Sequence, residues 1–220
     1  GLVYLELTVT GPSGDLHSGS HGGAVANPLN VLAKLVAELH DEKGRVTLPG
    51  FYDDVVEVSE AELKEWAALG FDEAEYAREL GVTHLAGGEA GLDVMVRRWA
   101  RPTLDCHGIV GGYMDEGSKT VIPSRATAKL STRLVANQDP EKVVEGFHQF
   151  VADRGLAGVT TEIRVHAKAR PVLLTPDSPV MRAGRKAQEE GFNLPARMVR
   201  NGASVPVVEA LQRVLGLEPV

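Results

Sequence analysis

The sequence has little of what special stabilisation or targeting requires. It holds one cysteine, Cys106. No internal disulfide can form, and a reducing, cytoplasmic setting is the expectation. It has no run of about 18 apolar residues, which excludes a membrane-spanning helix. Positive charge is in deficit: 23 Lys and Arg stand against 30 Asp and Glu, a net charge of -7. Phosphate contacts need clustered Lys and Arg, so no nucleic-acid partner is expected. Aromatics make up only 5%. There are no internal repeats and no low-complexity tracts. What is present is ordinary globular material: 220 residues, 43% hydrophobic, enough for one large domain or two small ones. The chain opens inside a strand pattern and stops just after a helix-like stretch. That points to a piece of a longer polypeptide.

Val3, Leu5, Leu7 and Val9 alternate with polar residues, the period of a half-buried strand. Gly11 to Gly14 read as a turn, and Ser13 to Pro28 as a glycine-rich loop in which a helix is not expected. Asn27 and Pro28 are a cap and first position for a helix with Leu29, Leu32, Leu35, Val36 and Leu39 on one face. Residues 41–100 differ in texture and read as a helical insertion. Within it, Ser59 with Glu62 and Asp72 with Glu75 have capping-box spacing. Strands return at Leu104 to Tyr113 and Ala126 to Leu134. Asp139-Pro140 starts a helix that buries Val143, Phe147 and Phe150, and Val159 to Val165 alternate as a last strand. The order is strand, helix, insertion, strand, strand, helix, strand. That is an α+β fold of ferredoxin-like split βαβ type, with an antiparallel four-stranded sheet and two helices. After about Arg170 come a helix near Ser178 to Glu190, a strand-to-loop piece at Val199 to Ser204, and a helix at Pro206 to Leu215. They bury too little to stand alone and read as part of an incomplete α/β unit.

Few residues carry chemistry. His17 and His21, in Ser13 to Pro28, have three readings: metal ligands, charge stabilisation on a substrate, or a plain turn. They lack the Glu that a zincin motif places between its histidines. A histidine among glycines approaches a ligand closely and can donate to a developing oxyanion. Arg133 lies on the polar face of its strand, where a guanidinium clamps a carboxylate in bidentate fashion or forms a surface ion pair. Thr120 can offer a hydroxyl, and Ser204, after Gly202-Ala203, precedes a helix where backbone N–H groups favour an anion.

Five stretches together resemble a known family: "DLHSGSHGG" (15–23), "GRVTLPGFYDDV" (44–55), "RPTLDCHGIVGGY" (101–113), "KTVIPSRATAKLSTRLV" (119–135) and "RNGASVPVVEALQRVLG" (200–216). The chain is similar to metallopeptidase family M-twenty, in the branch of the carnosine dipeptidases and cytosolic non-specific dipeptidases. One departure is Ala203, where that branch usually has a second glycine.

The resemblance implies a lid that dimerises, residues 1–168, with part of the catalytic domain after it, residues 169–220. It implies a hydrolase of dipeptides using two divalent metal ions, zinc or manganese, whose ligands lie outside these 220 residues. None is expected to be bound by this chain alone, and the isolated chain is expected to be inactive. His17 is implied to reach across a homodimer and stabilise the oxyanion in the partner's site. Arg133 is implied to bind the substrate carboxylate, and Thr120 and Ser204 to touch substrate. The homodimer is implied to form through the lid's edge strand and neighbouring helix. A different class remains open: a free-standing dimerisation or ligand-binding module without catalysis.

Overall fold

The computed structural model describes residues 1–202 and 206–217. Strand β1 (Leu2–Thr10) is central: it pairs antiparallel with β5 (Arg125–Arg133) on one side and β6 (Thr160–Ala169) on the other. Strand β3 (Thr103–Gly111) pairs antiparallel with the far edge of β5, giving the sheet order β3-β5-β1-β6. The crossovers leave one strand between the strands they join, so both βαβ units are split, as in ferredoxin-like folds.

One face of the sheet is dry. Val3, Leu5, Leu7 and Val9 are at most 1% exposed, as are Ala126, Ala128 and Leu130 beside them. Two helices cover that face, α2 (Pro28–Ala37) and α6 (Pro140–Ala152). Each starts as the sequence dictates. Asn27 and Asp139 accept a backbone N–H with their side chains, and proline fills the first turn, where no donor is needed. Leu32, Leu35, Phe147 and Phe150 then point into the same core. The opposite face carries Tyr4, His107, Ser131 and His166. The His107 ring stacks on Tyr4, and its Nε2 lies 2.7 Å from the Ser131 hydroxyl.

The sequence expectation fails at three places. Ser13 to Pro28 is not all loop: a two-residue strand, β2 (Leu16–His17), leads into a one-turn helix, α1 (Ser18–His21). Glycine disfavours helix, but His17 supplies its own cap, its Nδ1 accepting the Gly19 N–H. Strand β2 pairs with the short β4 (Val121–Ile122). The insertion holds the two expected helices, α3 (Glu60–Ala67) and α4 (Glu73–Glu79), and a third, α5 (Val94–Trp99), capped by Asp93. Beyond β6 lie α7 (Pro179–Phe192) and α8 (Pro206–Leu215), but residues 199–202 form no strand.

The insertion has its own small core, in which Trp66 meets Trp99 edge to face at 5.1 Å between centroids. Its loops are tied by a buried carboxylate. Glu89 takes Arg101 Nε and Nη2 at 2.6 and 3.0 Å and Arg45 Nη1 at 2.8 Å. The side chains of Glu89 and Arg101 are 6% and 7% exposed. Both guanidinium groups also lie over the Tyr52 ring, at 4.2 Å for Arg45 and 5.2 Å for Arg101. Removing Glu89 leaves the buried Arg101 with only the exposed Glu57 as an ion partner, 2.9 Å from its Nη1. Glu89→Ala is therefore expected to destabilise the chain by about 2–3 kcal/mol, less than for a buried charge left with no partner. Lys142→Ala, which breaks the exposed pair with Asp54, is expected to leave stability nearly unchanged. Urea unfolding followed by tryptophan fluorescence checks both, and equal effects contradict this ranking.

Candidate functional site

His17 and Thr120 are 103 residues apart and touch: Thr120 Oγ1 lies 2.9 Å from His17 Nε2. The backbone builds this contact. Ser18 donates its N–H to the Thr120 carbonyl at 2.9 Å, and His17 pairs with Val121 in the short β2–β4 ladder. Asp15 and Gly11 hold the next turn from both sides. The Ser124 N–H donates to Asp15 Oδ1 at 2.8 Å, and Gly11 donates to the Ser124 carbonyl at 2.9 Å. Hydrogen bonds from the Ser124 backbone and side chain hold the Asp15 carboxyl below the usual carboxylate range. It is ionised at neutral pH, where it is a strong acceptor.

The geometry fixes the imidazole tautomer. Nδ1 accepts the Gly19 N–H at 3.1 Å, so it carries no proton. The proton of the neutral ring sits on Nε2, the atom that faces Thr120, and Nε2–H donates to Oγ1. The threonine hydroxyl keeps its own hydrogen for a further acceptor. Both side chains are exposed. His21 closes the one-turn helix and, among the described residues, forms no hydrogen bond with this pair.

Arg133 is elsewhere. The β1–β5 register sets Leu2 opposite Arg133 and Thr10 opposite Arg125. Arg133 therefore stands at one end of the sheet and the His17 loop beyond the other. Eight strand steps put those ends about 27 Å apart. The Arg133 side chain is exposed, and among the described residues no carboxylate pairs with it. Just past it, Leu134 to Ala136 join α3, Arg200 and Gly202 in lining a cavity of about 510 Å³. Ser204, the remaining candidate, lies outside the described residues. Among the described residues, no three of His, Cys, Asp and Glu are grouped so as to hold a metal ion. The resemblance places the metal ligands outside these 220 residues, and the chemistry assigned here is that of His17, Thr120 and Arg133 themselves.

Residues 1–159 match the model of the peptidase dimerisation domain of family M-twenty. The chain belongs to that family. The dimerisation domain and the segment C-terminal to it are similar to enzymes over almost the full 220 residues. The Cys-Gly metallodipeptidase of Candida albicans is 27% identical over 99% of this chain and 45% of its own length. Homo sapiens Beta-Ala-His dipeptidase is 28% identical over 98% of this chain and 43% of its own. Among solved structures, a metallo-carboxypeptidase of family M-twenty from Sulfolobus solfataricus superposes with a TM-score of 0.86 at 33% identity, covering 99% of this chain and 49% of that one. The chain thus spans about half the length of the relatives it matches. No helix among its described residues is long and apolar enough to cross a membrane.

Sequence reasoning points to His17 and Thr120 separately and gives no sign that they meet. It misses Asp15 altogether, although an Asp two residues before His17 is the one local signal that the loop is tied down.

Proposed function

We propose that this chain is the lid and adjoining catalytic segment, residues 1–168 and 169–220, of a cytoplasmic metal-dependent dipeptidase. In that reading the protein works as a homodimer and uses two divalent ions, zinc or manganese, held outside these 220 residues. The observation that carries it is the split of the candidate residues between the two ends of one sheet. A dipeptide reaches about 7 Å when extended. It cannot touch His17 and Arg133 of the same subunit across about 27 Å. The two ends therefore serve two different substrates, and each site draws on two chains.

The chemistry comes from the side chains. Water attack on a peptide carbonyl turns it into a tetrahedral oxyanion. The Nε2–H of His17 donates to Thr120 Oγ1 in this structure, but the ring is exposed and can exchange that acceptor for the developing oxyanion. The Thr120 hydroxyl, beside the same nitrogen, supplies a second donor. At the other end, the guanidinium of Arg133 matches a carboxylate fork and anchors the free C-terminus of the substrate. Ser204 adds a contact from the catalytic segment. The names of the Candida albicans and Homo sapiens relatives, both dipeptidases, support the substrate class.

The dimer is assigned to the β3 edge. Val110 is 67% exposed and Ile109 37%, and residues 108–112 of that edge carry no charge. Such an edge pairs readily with another strand. The opposite edge, β6, is guarded by Glu162, Arg164 and Lys168. Val110→Lys is expected to convert the dimer to monomer in sedimentation, and an unaltered dimer refutes this assignment.

In the complete protein, His17→Ala is expected to lower kcat about 100- to 1000-fold with a smaller change in KM. Arg133→Ala is expected to raise KM for dipeptides and erase the preference for a free C-terminal carboxylate over an amide. A near-normal kcat in the His17 variant refutes the oxyanion role. A complete protein that binds dipeptides through Arg133 but never cleaves them establishes the binding-module reading instead.

A further inference from the structure

The insertion does more than decorate the lid. Residues 194–202 have no helix or strand of their own, so their backbone groups need partners elsewhere. One such group and one side chain of the segment are held by the insertion. The Met198 N–H donates to Glu65 Oε1 at 3.1 Å, and Arg200 donates from Nε and Nη2 to Glu62 Oε1 at 2.9 and 2.7 Å. The Arg200 guanidinium also lies 5.9 Å from the centroid of Trp66, a ring only 4% exposed. At Gly202 the chain passes so close to the end of α5 that an added Cβ would stand 2.9 Å from the Arg98 carbonyl oxygen. Glycine is the residue that permits that approach.

Glu62 is set in place independently of Arg200. Its Oε2 accepts the Ser59 N–H at 3.2 Å and the Ser59 hydroxyl at 2.9 Å, closing the capping box that starts α3. One oxygen serves the helix start and the other serves Arg200. The acceptor is therefore oriented before the arginine arrives. The Arg200 side chain is only 16% exposed, so this is not a water-screened surface pair. Partial burial works to raise the Glu62 pKa, but hydrogen bonds from Ser59 and Arg200 outweigh it and the carboxyl sits below its ordinary range.

We infer that the insertion is a positioning brace: Glu62 and Glu65 of α3 hold Arg200 and the Met198 amide, α5 packs closely on Gly202, and together they fix the backbone at 198–202 and so restrict the chain that follows. The two bonded residues and the close approach fall within five consecutive residues, and Ser204 comes two residues later in the sequence. The inference rests on the substrate contact proposed for Ser204 and extends it. Glu62 and Glu65 are positioning residues that act through the loop and do not touch substrate.

The test uses the complete enzyme and a double-mutant cycle. Glu62→Gln keeps a side chain that serves a capping box but removes the charge that holds Arg200. It is expected to raise KM for a dipeptide about tenfold with only a modest fall in Tm, and to have no further effect on KM once Ser204 is alanine. Ser59→Ala, which weakens the cap and leaves the arginine clamp, is expected to change Tm more than KM. Unchanged KM in Glu62→Gln, or effects of Glu62 and Ser204 that simply add, overturns the brace. If the wild-type enzyme cleaves no dipeptide, the proposed function fails, and hydrogen exchange at the Met198 amide still decides the brace: Glu65→Ala must expose that amide, and unchanged protection overturns it.

Discussion

Everything in this chain is referred to β1. It is hydrogen-bonded along both edges, to β5 and to β6, and four of its side chains are completely or almost completely removed from water. A strand held on both sides has no freedom of register, because a slip by one residue would turn its apolar set to the solvent face. That rigidity fixes Arg133 opposite Leu2 and Arg125 opposite Thr10. It therefore fixes the distance between the arginine and the histidine loop. The separation that argues for shared sites is a direct consequence of strand pairing.

Around this rigid sheet the chain places its chemistry on less regular pieces, and each is secured by specific polar contacts. The histidine loop is stitched by Asp15, Gly11 and Ser18. The insertion is tied by Glu89, which is buried with Arg101 and also takes the half-exposed Arg45. The segment before Ser204 is held by the insertion in turn. The described chain thus forms a series of supports: sheet to insertion, insertion to residues 198–202. Polar clamps of this sort fix geometry more than they add net stability, since the desolvation of buried charges offsets much of their attraction.

Local physics is legible in the sequence where one residue determines one feature. Alternation marks β1 and β5, Asn27-Pro28 and Asp139-Pro140 mark α2 and α6, and Ser59 with Glu62 marks α3. The failures have physical causes. Helix α1 is hidden because its cap is a histidine, which sequence rules read as chemistry. Helix α5 is hidden because Val94, Met95 and Val96 form a continuous apolar run without helical period. The long-range pairings leave no local trace. His17 meets Thr120 across 103 residues, and Glu62 meets Arg200 across 138. The roles proposed for His17, Thr120, Arg133 and Ser204 come from the family resemblance, but the division of the first three between sheet ends comes only from the register.

The most direct test of the central claim is subunit mixing. Two homodimers of the complete protein are prepared, one carrying His17→Ala and the other Arg133→Ala, each nearly inactive when assayed at dipeptide concentrations well below KM. If every site takes its histidine from one subunit and its arginine from the other, exchange yields hybrid dimers with one intact site. Statistical mixing then restores activity to about a quarter of the wild-type level. Mixtures that stay as inactive as their parents, with exchange verified, would place both residues in the site of a single subunit and contradict the claim.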